Sequence, residues 1–183
     1  MSIYAVGVLN KENLNIGFHT NNLHLLSLQK KLMIKLNRTN SLNQDFIDLV
    51  KYLDAELAEL DGDEHAFYTQ LNKTENIKHA IVAYENDKPL ACGAIREYSS
   101  TIMEVKRMYT LPESRGNGVA TKILNELEKW AAELSYQKCI LETGKRQPDA
   151  IRLYEKNGYR RISSYGKYIN MENSVCFEKE ILV

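Results

Sequence analysis

The chain has 183 residues, 44% apolar and 26% charged, the balance of one globular domain long enough to bury a sizeable core. Its 24 Lys and Arg against 24 Asp and Glu leave no net charge, so nothing global points to nucleic acid or an anionic membrane. Cys92, Cys139 and Cys176 are an odd number set in apolar or alternating runs, which reads as buried thiols of a reducing compartment rather than a disulfide set.

Residues 1–32 are expected to be an N-terminal extension. Within it, 3–9 suits a short strand, 10–22 an Asn-rich loop, and 23–32 a helix on Leu25, Leu28 and Leu32. The domain proper is expected over 33–183, starting with a strand at 33–38. Asn43 is a good N-cap for a helix whose stripe is Phe46, Val50, Leu53, Leu57 and Leu60, ended by Asp61-Gly62-Asp63. A short helix is expected over 65–71. Strands at 80–84 and 90–98 flank the turn-forming run 85–89. An alternating strand follows, with Ile102, Glu104, Lys106 and Met108 on one face and Met103, Val105, Arg107 and Tyr109 on the other. The next helix carries Ile123, Leu124, Leu127, Trp130, Ala131 and Leu134 at helical spacing. Beyond it come a buried-looking strand at 138–142, a polar loop at 143–147, a helix from Pro148 to the C′ glycine Gly158, and a closing strand at 175–182. This order predicts a mixed α/β sheet with helices on both faces. No run reaches the length of a membrane span, and 1–9 lacks a signal-peptide layout, so a cytoplasmic protein is expected.

Between that strand and helix lies Arg115-Gly116-Asn117-Gly118-Val119-Ala120. Glycine lets the backbone curl and brings N–H groups close to a ligand. The first turn of the helix adds unpaired N–H groups and the positive end of its dipole. Together they suit a phosphate-bearing ligand. Arg115, Lys122, Lys145 and Arg146 form a local cationic cluster in a neutral chain. The run fits neither G-x-x-x-x-G-K-[ST] nor G-x-G-x-x-G.

The pattern Arg-x-x-Gly-x-Ala, with Arg115, Gly118 and Ala120, resembles the acyl-CoA pyrophosphate loop of the GNAT superfamily of N-acetyltransferases. The preceding Val105–Gly116 stretch and the segment Ala150–Ile162, with Leu-Tyr-Glu-Lys-Asn-Gly-Tyr at its centre, resemble the family's other hallmarks, and the likeness runs from about Met33 to Val183. It implies a mostly antiparallel, twisted sheet and acetyl-CoA as co-substrate, with no metal. By the same likeness, Met108, Tyr109 and Thr110 would pair by backbone with the pantetheine arm, and a splay or bulge there would free an N–H for the thioester carbonyl. Arg115 to Ala120 (Arg115, Gly116, Asn117, Gly118, Val119, Ala120) would hold the pyrophosphate. Gln147 stands where relatives often carry Asn, as a pantetheine contact. Tyr154 matches the tyrosine that reaches the CoA sulfur as general acid, and Glu104 a glutamate that acts as base through water.

The acceptor side is thinner. Alternation lets only one of Lys106 and Arg107 face the acceptor; Arg107, with Arg96 beside it, would suit the carboxylate of an amino acid, and Tyr165 and Tyr168 would line the cleft. His65 and His79 read as structural or surface residues, and Cys176 has no His at an informative spacing. The leading expectation is acetyl transfer to the primary amine of a small molecule. The alternatives are a protein lysine or N-terminal acetyltransferase, and a non-catalytic acyl-CoA-binding regulatory module. A homodimer through the C-terminal strand or residues 1–32 is also expected as an option.

Overall fold

The computed structural model describes residues 33–61 and 77–181. The extension over 1–32, with its expected strand and helix, and the short helix expected over 65–71 lie outside these residues.

Seven strands form one sheet: β1 (Lys35–Thr39), β2 (His79–Glu85), β3 (Lys88–Ser99), β4 (Ile102–Thr110), β5 (Lys138–Gly144), β6 (Arg160–Ile162) and β7 (Ser174–Glu180). Their spatial order is β1-β2-β3-β4-β5-β7-β6. Every neighbouring pair is antiparallel except β4 and β5. Three helices, α1 (Gln44–Asp61), α2 (Val119–Glu133) and α3 (Pro148–Lys156), complete the described fold.

Strand alternation sorts the core onto two faces. Ala80 and Val82 join Phe46, Leu49 and Val50 of α1 in one cluster. Ile81 and Ala83 join Ile123, Leu124 and Leu127 of α2 and Tyr154 of α3 in the other. Asn43 caps α1 as expected, its Oδ1 accepting from Phe46 N–H at 2.9 Å. The β2–β3 hairpin turns more tightly than expected: Asn86 and Asp87 both take positive φ, and Lys88 and Pro89 already belong to β3. Thr143 and Gly144, expected in a loop, extend β5. β6 is too short for any periodicity to announce, yet it covers β7 from Cys176 to Glu178. The C-terminal strand, expected as a dimer edge, is therefore paired on both sides there.

Two irregularities in β4 position the site. Cys92 pairs with Tyr109 and Ala94 with Lys106, so Arg107 and Met108 together oppose Gly93. Arg107 takes φ +58°, and its carbonyl accepts from the Cys92 thiol at 3.4 Å. This is a β-bulge, and it ends the alternation read from the sequence. Met108 now packs on the α2 side with Met103 and Val105, and Tyr109 on the α1 side. The second irregularity is a split. β4 pairs with β5 only from Ile102 to Glu104, whereas β5 pairs with β7 up to Gly144.

Candidate active site

The split opens the sheet between β4 and β5, and two adjoining hollows meet there. The larger, about 840 Å³, is a cleft bordered by β4, the glycine loop and α3. The smaller, about 90 Å³, is a recess between β4, the end of β5 and α1. Leu53, Leu57, Met108, Arg146, Gln147 and Tyr154 border both.

The sequence places most of its predicted cofactor residues on the cleft wall. Met108, Tyr109, Thr110, Arg115, Gly116, Gly118, Val119 and Ala120 line it; Asn117 does not. Of the cationic cluster, Arg115 and Arg146 line it and Lys122 and Lys145 do not. Gly118 is the N-cap of α2 at φ +75° and Gly116 stands at φ +78°, the left-handed region that glycine adopts at no cost. A Cβ at either would meet nothing within 4 Å and would stand in open space. The loop thus turns bare backbone and a helix N-terminus toward the cleft, a donor set suited to phosphate. These residues fit an acyl-CoA.

Arg115 is already engaged. Its Nη2 donates to both Glu56 oxygens at 2.7 Å and its Nε to Thr110 O at 2.9 Å. The guanidinium also lies over the Tyr109 ring, whose hydroxyl donates to Glu56 at 2.8 Å. Glu56 gives no signal in the sequence beyond a helix-face carboxylate.

Tyr154 is 6% exposed, packed against Tyr159 and Phe177. Burial, and then the negative charge of Glu142, push its phenol well above the ordinary value, so it keeps its proton at neutral pH. Gln147, the N-cap of α3, accepts from Thr143 Oγ1 at 2.9 Å and stands at the join of the two hollows.

Glu104 is 2% exposed rather than solvent-facing. Its Oε2 accepts from Arg96 Nη2 at 2.6 Å, and its Oε1 from Tyr165 at 3.1 Å and Tyr168 at 3.4 Å. Lys106 Nζ lies 3.6 Å from the same Oε1 and donates to Tyr168 Oη at 2.8 Å. The structure therefore gathers Glu104, Arg96, Tyr165 and Tyr168 into one web, but none of these four is on the wall of either hollow. Lys106 joins the web to the recess.

The recess wall carries Lys106, Arg107 and Glu142. The bulge brings both cations to one opening, where strict alternation would have separated them. Burial lowers the proton affinity of each, and the neighbouring carboxylates, Glu104 for Lys106 and Asp54 for Arg107, oppose that shift. Glu142, half-buried on β5, accepts from Ser174 Oγ at 2.6 Å. Its one local signal is a carboxylate interrupting an apolar strand next to the loop. Among the described residues no cluster of His, Cys, Asp and Glu has a metal-binding arrangement, and no helix is long and apolar enough to cross a membrane.

Comparisons with known proteins agree with this geometry. The chain is 28% identical to an IAA acetyltransferase of Azospirillum brasilense, over 81% of this chain and 98% of that protein. A Klebsiella pneumoniae crystal structure assigned as an acyl-CoA N-acyltransferase superposes with a TM-score of 0.70 at 28% identity, covering 82% of this chain and 99% of the other. The PaiA N-acetyltransferase of Thermoplasma acidophilum, solved with coenzyme A, shares the fold with a TM-score of 0.59 at 15% identity, over 81% and 99% of the two chains. The profile of the Acetyltransferase (GNAT) family matches residues 45–159, which span α1, the glycine loop and Tyr154. The chain belongs to the GNAT family of acetyltransferases.

Proposed function

We propose that this protein transfers an acetyl group from acetyl-CoA to the primary amine of a small molecule, both substrates being bound together. The observation that carries this reading is the position of Tyr154, on the wall of the cofactor cleft and of the recess alike. Acetyl-CoA supplies the activated acyl carbon; the acetyl group ends on the amine nitrogen and the thiol leaves.

The chain's own residues have four tasks. The backbone from Arg115 to Ala120 seats the pyrophosphate, and the free edge of β4 from Met108 to Thr110 takes the pantetheine arm, with Gln147 facing it. The bulge at Arg107 and Met108 borders the join of the two hollows, and a main-chain N–H there would polarise the acyl oxygen. Tyr154, protonated at neutral pH, gives its Oη proton to the departing sulfur.

The fourth task is to take the proton of the amine, whose ordinary pKa of roughly 8 to 10 leaves it charged at neutral pH. Glu104, the base expected from the sequence, has its oxygens occupied by Arg96, Tyr165 and Tyr168. It acts at one remove, by holding Lys106 and Tyr168. Glu142, which borders the recess, is the carboxylate that meets the amine. Calorimetry with acetyl-CoA, followed by a thiol-release assay over amino acids, polyamines, aminoglycosides and lysine peptides, tests the whole reading. Binding plus turnover on a small amine is expected. Turnover on peptides alone would replace it with a protein acetyltransferase, and binding without any turnover with a regulatory acyl-CoA module.

A further inference from the structure

The recess holds a cation that the fold does not explain. Arg107 sits at φ +58° in the middle of the central strand, a conformation unfavourable for any residue with a Cβ. Its side chain is 4% exposed, and burying a guanidinium is costly unless its donors are met. They are met only in part. Nη1 donates to Asp54 at 2.7 Å, while Nε is buried and has no partner among the described residues. Asp54 is itself 48% exposed, so the pair is open to solvent on the α1 side. A position that served packing alone would be filled better by an apolar side chain. Lys106, the next residue, reaches the same recess with a side chain 9% exposed. Backbone strain, a half-satisfied buried guanidinium and a second buried cation thus coincide at one small opening.

We infer that the amine acceptor also carries a carboxylate, and that Arg107, backed by Lys106, is the anchor that receives it. This rests on the acetyl-transfer reading above and narrows its acceptor to amino acids and similarly compact amino carboxylates. The planar fork of arginine matches a carboxylate, which supplies the acceptor atoms that Arg107 lacks. Glu142, on the same wall, then faces the ammonium end of such a zwitterion. The opposite signs of Arg107 and Glu142 fix which end of the acceptor points toward Tyr154. A volume of about 90 Å³ suits a molecule of this size rather than an oligosaccharide.

The test compares amino acids with their own carboxamides, which keep the amine and lose the charge. Acetyl-CoA affinity is measured first, by calorimetry on the full chain. The acids are then expected to exceed the amides in kcat/KM by about 10- to 100-fold, the effect of one charge-assisted buried hydrogen bond. In Arg107→Gln that ratio should collapse toward one. Amides or polyamines used as well as the acids would overturn the inference. So would no turnover of any amino acid by protein that binds acetyl-CoA, which leaves the transfer reading standing on another acceptor. Failure to bind acetyl-CoA would overturn the transfer reading itself, and this inference with it. If Arg107→Gln does not fold, the wild-type enzyme still decides: deaminated acids should inhibit competitively against the amine, and absence of inhibition up to the KM of the best acid counts against the anchor.

Discussion

Arg96 and Glu104 face each other across the β3–β4 ladder, and Arg96 Nη2 donates to Glu104 Oε2 at 2.6 Å. The two ends are unequal: the Arg96 side chain is 39% exposed and that of Glu104 only 2%. Arg96 can turn to water if it loses its partner. Loss of Arg96 leaves the buried Glu104 its bonds from Tyr165 and Tyr168 and the charge of Lys106, whereas loss of the carboxylate strands Lys106, which is buried and leans on Glu104. Glu104→Ala is therefore expected to cost about 3 kcal/mol, the lower end for breaking a buried pair, and Arg96→Ala less than half as much. Urea unfolding of both variants checks the order; equal losses would mean that Lys106 does not depend on Glu104.

Tyr154→Phe should lower turnover by about 10²-fold, the low end for removal of a general acid, with acetyl-CoA affinity little changed. Steady-state kinetics and calorimetry on one preparation separate the two effects. Unaltered turnover would remove the Tyr154 hydroxyl from the reaction.

Gly118→Val acts on the other substrate. At φ +75° a β-branched side chain strains the backbone of a residue that lines the cleft. Acetyl-CoA binding should be lost while the circular dichroism spectrum is retained. Normal affinity in this variant would refute the placement of the pyrophosphate.

Gly93 is needed for a different reason, closeness rather than backbone angle. A Cβ there would lie 2.5 Å from Met108 Sδ and 2.7 Å from Ile123 Cγ2, where α2 packs on β3. Gly93→Ala should destabilise by about 1–3 kcal/mol, the usual cost of overpacking, although methionine can yield a little. Thermal unfolding measures it. Gly93→Ala combined with Met108→Ala should recover part of the loss.

Burial pushes the Cys92 and Cys139 thiols up to about 12, and the Cys176 thiol upward as well. Thiolate is the reactive form, so the folded protein should resist a thiol reagent at pH 8, and all three cysteines should react together on unfolding. The sign of the linkage follows. The folded chain keeps protons that the unfolded chain gives up above about pH 8.5, so stability falls as the pH rises past that value. A thiol that reacts at the free rate in native protein would show that its burial is incomplete.

What was legible in the sequence depended on which physical signals are local. The glycine loop, the Asn43 cap and the stripes of α1 and α2 are written in consecutive residues, and they were readable for that reason. The bulge was not, because the one break in the polar–apolar alternation from Glu104 to Met108, the adjacent cations Lys106 and Arg107, also fits a regular strand with one cation on each face. That hidden irregularity is what set Lys106 and Arg107 on one opening instead of two faces. Glu142 and Glu56 carry little local signal because their roles come from partners far along the chain, Ser174 and Arg115. Tyr165 and Tyr168, expected to line the acceptor cleft, border neither hollow, and their hydroxyls serve Glu104.

The parting of β4 from β5 has a consequence for how this protein tolerates change. An unpaired strand edge offers a fixed rhythm of amide hydrogens and carbonyls that is the same for nearly every amino acid. A partner that reads only this rhythm is blind to the side chains that carry it. Drift at Met108 and Thr110 should therefore leave that half of cofactor recognition intact, with proline the one residue barred, because it alone erases a rung.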